Sequence, residues 1–262
     1  MTPTTQTSLL TAENVTLSFR GLAALLNVGF EVRENLVTAL IGPNGAGKTS
    51  MLNCISGRYR PDSGDIRLDN DSLLNKKAHE RSKAGISRTF QNIALFRGLS
   101  VLDNLMVGRH GRLGYGLLAA MGYLGPARRH EDAHRRRVED VIDFLGLSPY
   151  RHQSAGRLPY GVQKRVELGR ALAAEPRLIM LDEPMAGMNA EETEDMARYI
   201  LDINEEWGMS VLLVEHDMGV VMDISDHIVV LDFGQVLASG TPQQVQTNPD
   251  VVAAYLGSGD GH

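Results

Sequence analysis

Apolar and polar residues alternate in some stretches of this 262-residue chain and run together in others, and the two patterns predict different elements. Val15-Thr16-Leu17-Ser18-Phe19 and Val28-Gly29-Phe30-Glu31-Val32-Arg33 alternate, the period of strands with one buried face. Val37-Thr38-Ala39-Leu40-Ile41 is nearly continuous, which suits a strand buried on both faces of a parallel sheet. Leu178-Ile179-Met180-Leu181 and Val211-Leu212-Leu213-Val214 also read as buried strands, and Asp65–Asp69 and Ile86–Gln91 as short ones. Ile228–Leu231, a Phe233-Gly234 turn and Val236–Ala238 predict a hairpin. Elsewhere the period is helical. Val138, Val141, Ile142 and Leu145 recur at spacing 0, 3, 4 and 7, in a helix opened by Arg128-Arg129-His130-Glu131. Met196, Tyr199 or Ile200, Ile203 and Trp207 make a second stripe, after a capping-box pair, Asn189 and Glu192. Ser100 is an N-cap signal, Pro159 sits in the first turn of a helix running to about Ala174, and Glu175-Pro176 stops it. Thr241-Pro242 opens a closing helix, and glycines from Gly108 to Gly125 dot the stretch after the Ser100 helix. The elements describe an α/β chain without internal repeats.

Chemistry enters at the end of the Val37–Ile41 run. Gly42-Pro43-Asn44-Gly45-Ala46-Gly47-Lys48-Thr49, between that strand and a helix from Ser50, has the spacing of a phosphate-binding loop. Glycines let backbone N–H groups turn inward onto phosphate oxygens, and the helix start adds the positive end of its dipole. Lys48 is expected to reach the β- and γ-phosphates, and the Thr49 hydroxyl to ligate Mg²⁺. Asp182-Glu183 closes another central strand, at the edge where open α/β sheets bind ligands. One carboxylate there can hold a metal shell and its neighbour can polarise a water. His216, after Val211–Val214, is either a plain strand-end polar residue or a phosphate contact at the same edge. Phe19 is either a core-facing strand residue or a ring that stacks on adenine. Gln91, taken alone, reads as a solvated loop residue, and Trp207 as core or half-buried.

Composition narrows the classes. Hydrophobic residues make up 43% and charged residues 22%, enough for a proper core in one large domain or a core with a smaller subdomain. A net charge of −6 argues against nucleic acid as the partner. Arg135-Arg136-Arg137 is interleaved with Glu131, Asp132, Glu139 and Asp140, and so reads as a solvated charged face. No apolar run approaches the ~20 residues of a membrane span. Met1–Ser8 lacks the basic start and apolar middle of a signal peptide and is expected to be a frayed tail. Cys54 is the single cysteine, so neither a disulfide within the chain nor a cysteine-rich metal site can form; it reads as core. These features predict a cytoplasmic protein.

In this order the motifs resemble the ATP-binding subunit of an ABC transporter, over residues 9–257. Gly42–Thr49 matches the phosphate loop, and the strand to Gln91 looks like the Q-loop. Leu158–Gln163, followed by Lys164–Leu172, looks like the signature motif and its helix. Leu178–Pro184 is similar to the Walker B strand, Ala186-Gly187-Met188-Asn189 to the D-loop, and His216 to the switch histidine. The resemblance implies a P-loop NTPase core with a mixed sheet, an N-terminal antiparallel β-subdomain and an inserted helical subdomain. It implies a disordered tail at 1–8, a core at 9–91 and 175–262, and a helical subdomain with the signature motif at 92–174. Asp182, Thr49 and Gln91 become the Mg²⁺ shell and Glu183 the base, with Gln91, His216 and Lys48 also catalytic. The ATP site comprises Phe19, Gly42, Pro43, Asn44, Gly45, Ala46, Gly47, Lys48, Thr49, Ser50, Gln91 and Asp182, with Tyr160, Gly161 and Val162 contributed across a head-to-tail dimer.

Two departures stand out. The family signature reads Leu-Ser-Gly-Gly-Gln, whereas Pro159, Tyr160 and Val162 replace its serine, first glycine and glutamine. The D-loop aspartate is Asn189. The Leu-Pro-Tyr-Gly form, the Ala-Gly-Met-Asn form, the long insert after Gln91 and the ending from Gly240 to Gly257 look like the branched-chain amino acid, urea or amide importers. The implied partners are a second ATPase subunit (the same or a paralogous chain), two membrane permease subunits and, indirectly, a substrate-binding protein, with this chain peripheral on the cytoplasmic face of the inner membrane. Two rival readings are an ABC ATPase of a lipid exporter and a nucleotide-binding regulator without turnover.

Overall fold

The computed structural model describes residues 7–89, 91, 93–109 and 126–257. Strands β1 (Ser8–Phe19), β2 (Leu22–Arg33), β4 (Ser63–Leu68) and β5 (Asp71–Ser72) form an antiparallel sheet in the order β2-β1-β4-β5. The larger sheet contains β3 (Val37–Ile41), β6 (Ile86–Arg88), β7 (Leu178–Asp182), β8 (Ser210–Val214), β9 (His227–Asp232) and β10 (Gln235–Gly240). Its order is β10-β9-β3-β8-β7-β6, parallel throughout except for the β9–β10 hairpin. The expected mixed sheet and antiparallel β-subdomain are both present.

β3, β7 and β8 are buried along their whole length, and their alternate residues enter different layers. Leu178, Met180, Leu212 and Val214 face α1 (Lys48–Ser56) and the antiparallel sheet, packing with Met51, Leu52, Cys54 and Ile55. Ile179, Leu181, Val211 and Leu213 face the helices on the other side. A strand covered on both faces has no solvent side, which is why these runs show no polar alternation. A short helix, α2 (Ala78–Lys83), leads into β6. Over the second face α3 (Val101–Arg109), α4 (Pro126–Phe144), α5 (Tyr160–Leu172) and α6 (Ala190–Glu205) share one apolar cluster. The stripe Val138, Val141, Ile142 and Leu145 is buried in it, each side chain stabilising by about 1.5–3 kcal/mol. Trp207 is half-buried against Phe144, with ring centroids 4.7 Å apart. The last helices, α7 (Met218–Ile224), α8 (Pro242–Gln246) and α9 (Pro249–Gly257), pack beside Ala39, Ile41, Ile228 and Val230.

Several boundaries differ from the sequence reading. Thr7 and Ser8 are not a frayed tail: the Thr7 carbonyl accepts from Glu34 N at 3.0 Å and Ser8 pairs with Arg33, because the sheet extends β1 to the end of β2. The strand toward Gln91 stops at Arg88, where pairing with β7 ends, so Gln91 lies in the loop beyond it. α5 starts at Tyr160 with Pro159 as its N-cap, one residue later than expected, and ends at Leu172. Gly108 lies inside α3, where a Cβ would strike the Arg170 carbonyl of α5; the glycines from Gly111 to Gly125 lie outside the described residues.

Candidate active site

Register brings the chemical residues together. Asp182 pairs with Val214 and Ile41 with Val230, so the residues that follow β3, β7 and β8 leave the sheet at one edge. The Gly42–Gly47 loop is pressed into its neighbours. Gly42 (φ 146°) and Gly47 (φ 103°) have left-handed backbones; a Cβ on Gly42 would strike the Leu231 carbonyl, and one on Gly47 the Ala24 carbonyl. Gly47 is the N-cap of α1, whose first turn is Lys48, Thr49 and Ser50, with amides that have no partner within the helix. Asn44 and Gly45 are exposed at the tip, Pro43 is half-buried and Ala46 is core. Lys48 is buried, and its Nζ donates to the Gly42 and Pro43 carbonyls at 2.6 and 3.0 Å. Burial holds its pKa below the usual lysine range, against the opposing fields of Glu183 and Asp182.

Asp182 is buried at the end of β7. Its Oδ2 accepts from Arg88 Nη2 at 2.9 Å, while Arg88 Nη1 donates to Asn53 Oδ1 at 2.7 Å and Ser56 Oγ at 3.2 Å. A planar fork of donors thus spans from the phosphate-loop helix to the acid, which an ammonium group could not do. Asp182 Oδ1 is buried and has no hydrogen-bond partner among the described residues. A carboxylate oxygen in that state is costly, and a cation with its water shell fits it. Among the described residues no group of three or more His, Cys, Asp or Glu side chains forms a metal cage of its own. That suits magnesium, which takes one or two carboxylates and completes its shell with substrate phosphates and water. Asp182 and the exposed Thr49 fit this role.

Glu183 has φ 50°, a left-handed conformation that a non-glycine residue adopts only when its surroundings hold it. Five contacts do so. Its Oε1 lies 2.6 Å from His216 Nε2, and its Oε2 accepts from Gln91 Nε2 at 2.8 Å. Its amide donates to the Val214 carbonyl at 2.9 Å, and its own carbonyl accepts from both the Ala186 amide and Lys164 Nζ at 3.2 Å. Gln91 is therefore placed on Glu183, and no contact with Asp182 or Thr49 is seen among the described residues. Behind the pair, the buried Glu215 accepts from the amides of Met185 and His216 at 2.8 and 3.0 Å, joining the loops after β7 and β8. Burial pushes its carboxyl up from the usual range.

The start of α5 meets the segment Ala186–Asn189. Tyr160 Oη donates to the Ala186 carbonyl at 3.0 Å, and its ring stands against Gly187. A Cβ on Gly161 would meet the Glu192 carboxylate. Glu192 Oε2 accepts from Asn189 N at 3.1 Å and Asn189 Oδ1 from Glu192 N at 3.0 Å, so the expected capping box is present and wedged against Gly161. Val162 buries its side chain in the helical core, which leaves only its backbone for a ligand. Phe19 is 43% exposed and packs edge-to-face on Tyr59 at 5.1 Å, in the hairpin whose Ala24 carbonyl borders Gly47.

A phosphate loop, an acid pair and a histidine thus share one sheet edge. The profile of the family described as ABC transporter matches residues 25–186, and that of the branched-chain amino acid ATP-binding cassette transporter matches residues 235–261. The high-affinity branched-chain amino acid transport ATP-binding protein BraF of Pseudomonas aeruginosa is 42% identical, over 95% of this chain and 98% of its own length. This chain belongs to the ABC transporter family. Among solved structures, the ADP conformation of MJ1267, an ATP-binding cassette of an ABC transporter, superposes with a TM-score of 0.83 at 32% identity, covering 96% of this chain and 99% of that one. MJ0796, a bacterial ABC transporter cassette solved as a dimer, gives 0.74 at 26% identity over 89% and 98%.

Three residues of this ABC cassette bear on the site without having been singled out from the sequence: Arg88, Lys164 and Glu215. Lys164 carried a readable signal, since it shares a helical face with Leu168 and Leu172 and a lysine on an apolar face asks for a partner. Arg88 and Glu215 look like ordinary strand-end polar residues until their partners are known.

Proposed function

We propose that this chain is the ATP-hydrolysing subunit of an importer, energising uptake of branched-chain amino acids or related amino acids and amides through separate membrane subunits. The observation that carries this reading is the match of residues 235–261 to a branched-chain amino acid cassette profile, in a chain 42% identical to a transport protein of that class. No helix of the described residues is long and apolar enough to cross a membrane, so two permease subunits and a binding protein supply the path and the selectivity.

Two such cassettes close head to tail, each phosphate loop facing the partner's signature helix. Loop amides and Lys48 bind the β- and γ-phosphates, and Phe19 stacks on the base. Magnesium bound with the nucleotide, held by Thr49 and Asp182, would spread the phosphate charge. Glu183 takes the proton of the attacking water, and its contacts with His216 and Gln91 support a carboxylate held in one orientation. His216 then stabilises charge on the transferring phosphoryl group, a reaction that depends on positioning and electrostatics. An intact Glu183 held by two partners favours turnover over the regulator reading.

The test is reconstitution with the membrane and binding proteins encoded beside this chain. ATP-dependent leucine uptake, with matching stimulation of phosphate release, is the expected result. Stimulation by lipid with no amino acid or amide transported would replace import by lipid export.

Gly161→Asp is expected to slow hydrolysis by about 10- to 100-fold while each subunit still binds ATP. The new carboxylate would displace Glu192 from its cap on Asn189 and set negative charge at a helix N-terminus that faces a triphosphate. ATP-dependent dimerisation, followed by light scattering, is the readout. Normal dimerisation of Gly161→Asp would rule out the trans site.

A further inference from the structure

Lys164 stands on the signature helix yet makes no contact typical of a surface lysine. It is 3% exposed, and its Nζ donates to two backbone carbonyls, Gln91 O at 3.3 Å and Glu183 O at 3.2 Å. No carboxylate lies within ion-pairing distance of it among the described residues. The Tyr160 ring is 5.9 Å away. Burying a cation on neutral acceptors is expensive, and methionine would fill the same space without that penalty. Burial does depress the lysine pKa, against the more distant fields of Glu167, Glu215, Glu183 and Asp182. What the charge secures is geometric. One of its two acceptors belongs to Glu183, whose left-handed peptide needs holding; the other belongs to Gln91, whose side chain bonds the Glu183 carboxylate.

We infer that Lys164 is a positioning residue, a hydrogen-bonded joint through which the signature helix holds Glu183 and Gln91 in their hydrolytic arrangement. The inference rests on the reading of Glu183 as the base. α5 begins at Tyr160, next to the trans-facing Gly161, and Lys164 sits one turn further along the same helix, behind the catalytic loops. A partner's nucleotide that seats the start of α5 therefore acts on the same rigid helix that holds the Glu183 carbonyl. The joint bears on the chemical step and leaves ATP binding to the phosphate loop, which it does not touch.

The experiment compares Lys164→Met, Lys164→Arg and Glu183→Gln in the full transporter, by steady-state phosphate release and thermal unfolding. Lys164→Met is expected to unfold no earlier than wild type, to lose about tenfold in kcat, and to keep KM for ATP within about twofold. Lys164→Arg, which can still donate to both carbonyls, is expected to recover most of kcat. Wild-type kcat in Lys164→Met, or an arginine variant as slow as the methionine variant, overturns the joint while Glu183→Gln stays inactive. An active Glu183→Gln instead removes the base reading on which the joint rests. If Lys164→Met does not fold, Lys164→Gln, which keeps an N–H donor without the charge, replaces it. A kcat between those of Lys164→Arg and Glu183→Gln supports the joint, and wild-type kcat overturns it.

Discussion

Glu183→Gln is expected to bind ATP with unchanged affinity, to hydrolyse it about 10²- to 10⁴-fold more slowly, and to accumulate as an ATP-bound dimer. The reason lies in the contacts around the carboxylate. An amide has the same shape, and both partners can accept it: its oxygen can take the Gln91 N–H, and its N–H can donate to His216 when Nε2 is unprotonated. The left-handed backbone stays held by the Val214 carbonyl and by Lys164. The ability to take a proton from water is then the one thing removed. Closure on ATP does not need that proton transfer, whereas reopening does, so the closed dimer persists. Phosphate release and gel filtration with and without ATP are the measurements. Wild-type phosphate release would assign the base to another group.

Lys48→Ala is expected to weaken ATP binding by about 10- to 100-fold and to lower kcat by a further factor of about 10²–10³. Two separate losses combine. The buried Nζ closes the loop on itself by bonding the Gly42 and Pro43 carbonyls, so the truncated loop keeps its glycine geometry but loses its inner clasp. The loop also loses the only cation within it, and the electrostatic stabilisation of the β- and γ-phosphates goes with that charge. Burial disfavours the charged lysine against the fields of Glu183 and Asp182, and an anion at the loop adds to those fields. Calorimetric titration with ATP is the check. An affinity equal to wild type would mean that Gly42–Thr49 does not seat the phosphates.

The sequence was most legible where one residue type has one physical use. Buried strands announced themselves as unbroken apolar runs, and the Val138–Leu145 stripe as a helix face, because burial on two faces and on one face leave different periods. The Asn189–Glu192 cap was readable since both halves of it lie within one turn. Strand ends were less legible. β1 extends back to Ser8 only because β2 is long enough to pair with it, and the β6 ladder ends with Arg88 opposite Met180, although Thr89 adds one more backbone bond to the Met180 carbonyl and β7 runs on to Asp182. Neither limit is written in the residues of the strand itself.

By itself the sequence located the phosphate-loop motif, the buried strands, the acid pair and the histidine that follow them, since each rests on neighbours along the chain, but it left β5, α2 and α7 unread. The tertiary structure alone decided what holds them. Arg88 reaches Asp182 across 94 positions, Gln91 reaches Glu183 across 92, and Lys164 reaches Gln91 across 73. Such contacts depend on the parallel register that sets β3, β7 and β8 side by side, and on α5 packing behind them. Local periodicity carries no record of that register, because a hydrophobic face specifies burial and leaves the identity of the covering element open. The roles of Arg88, Lys164 and Glu215, and the wedging of Glu192 against Gly161, therefore emerge only when the chain is folded.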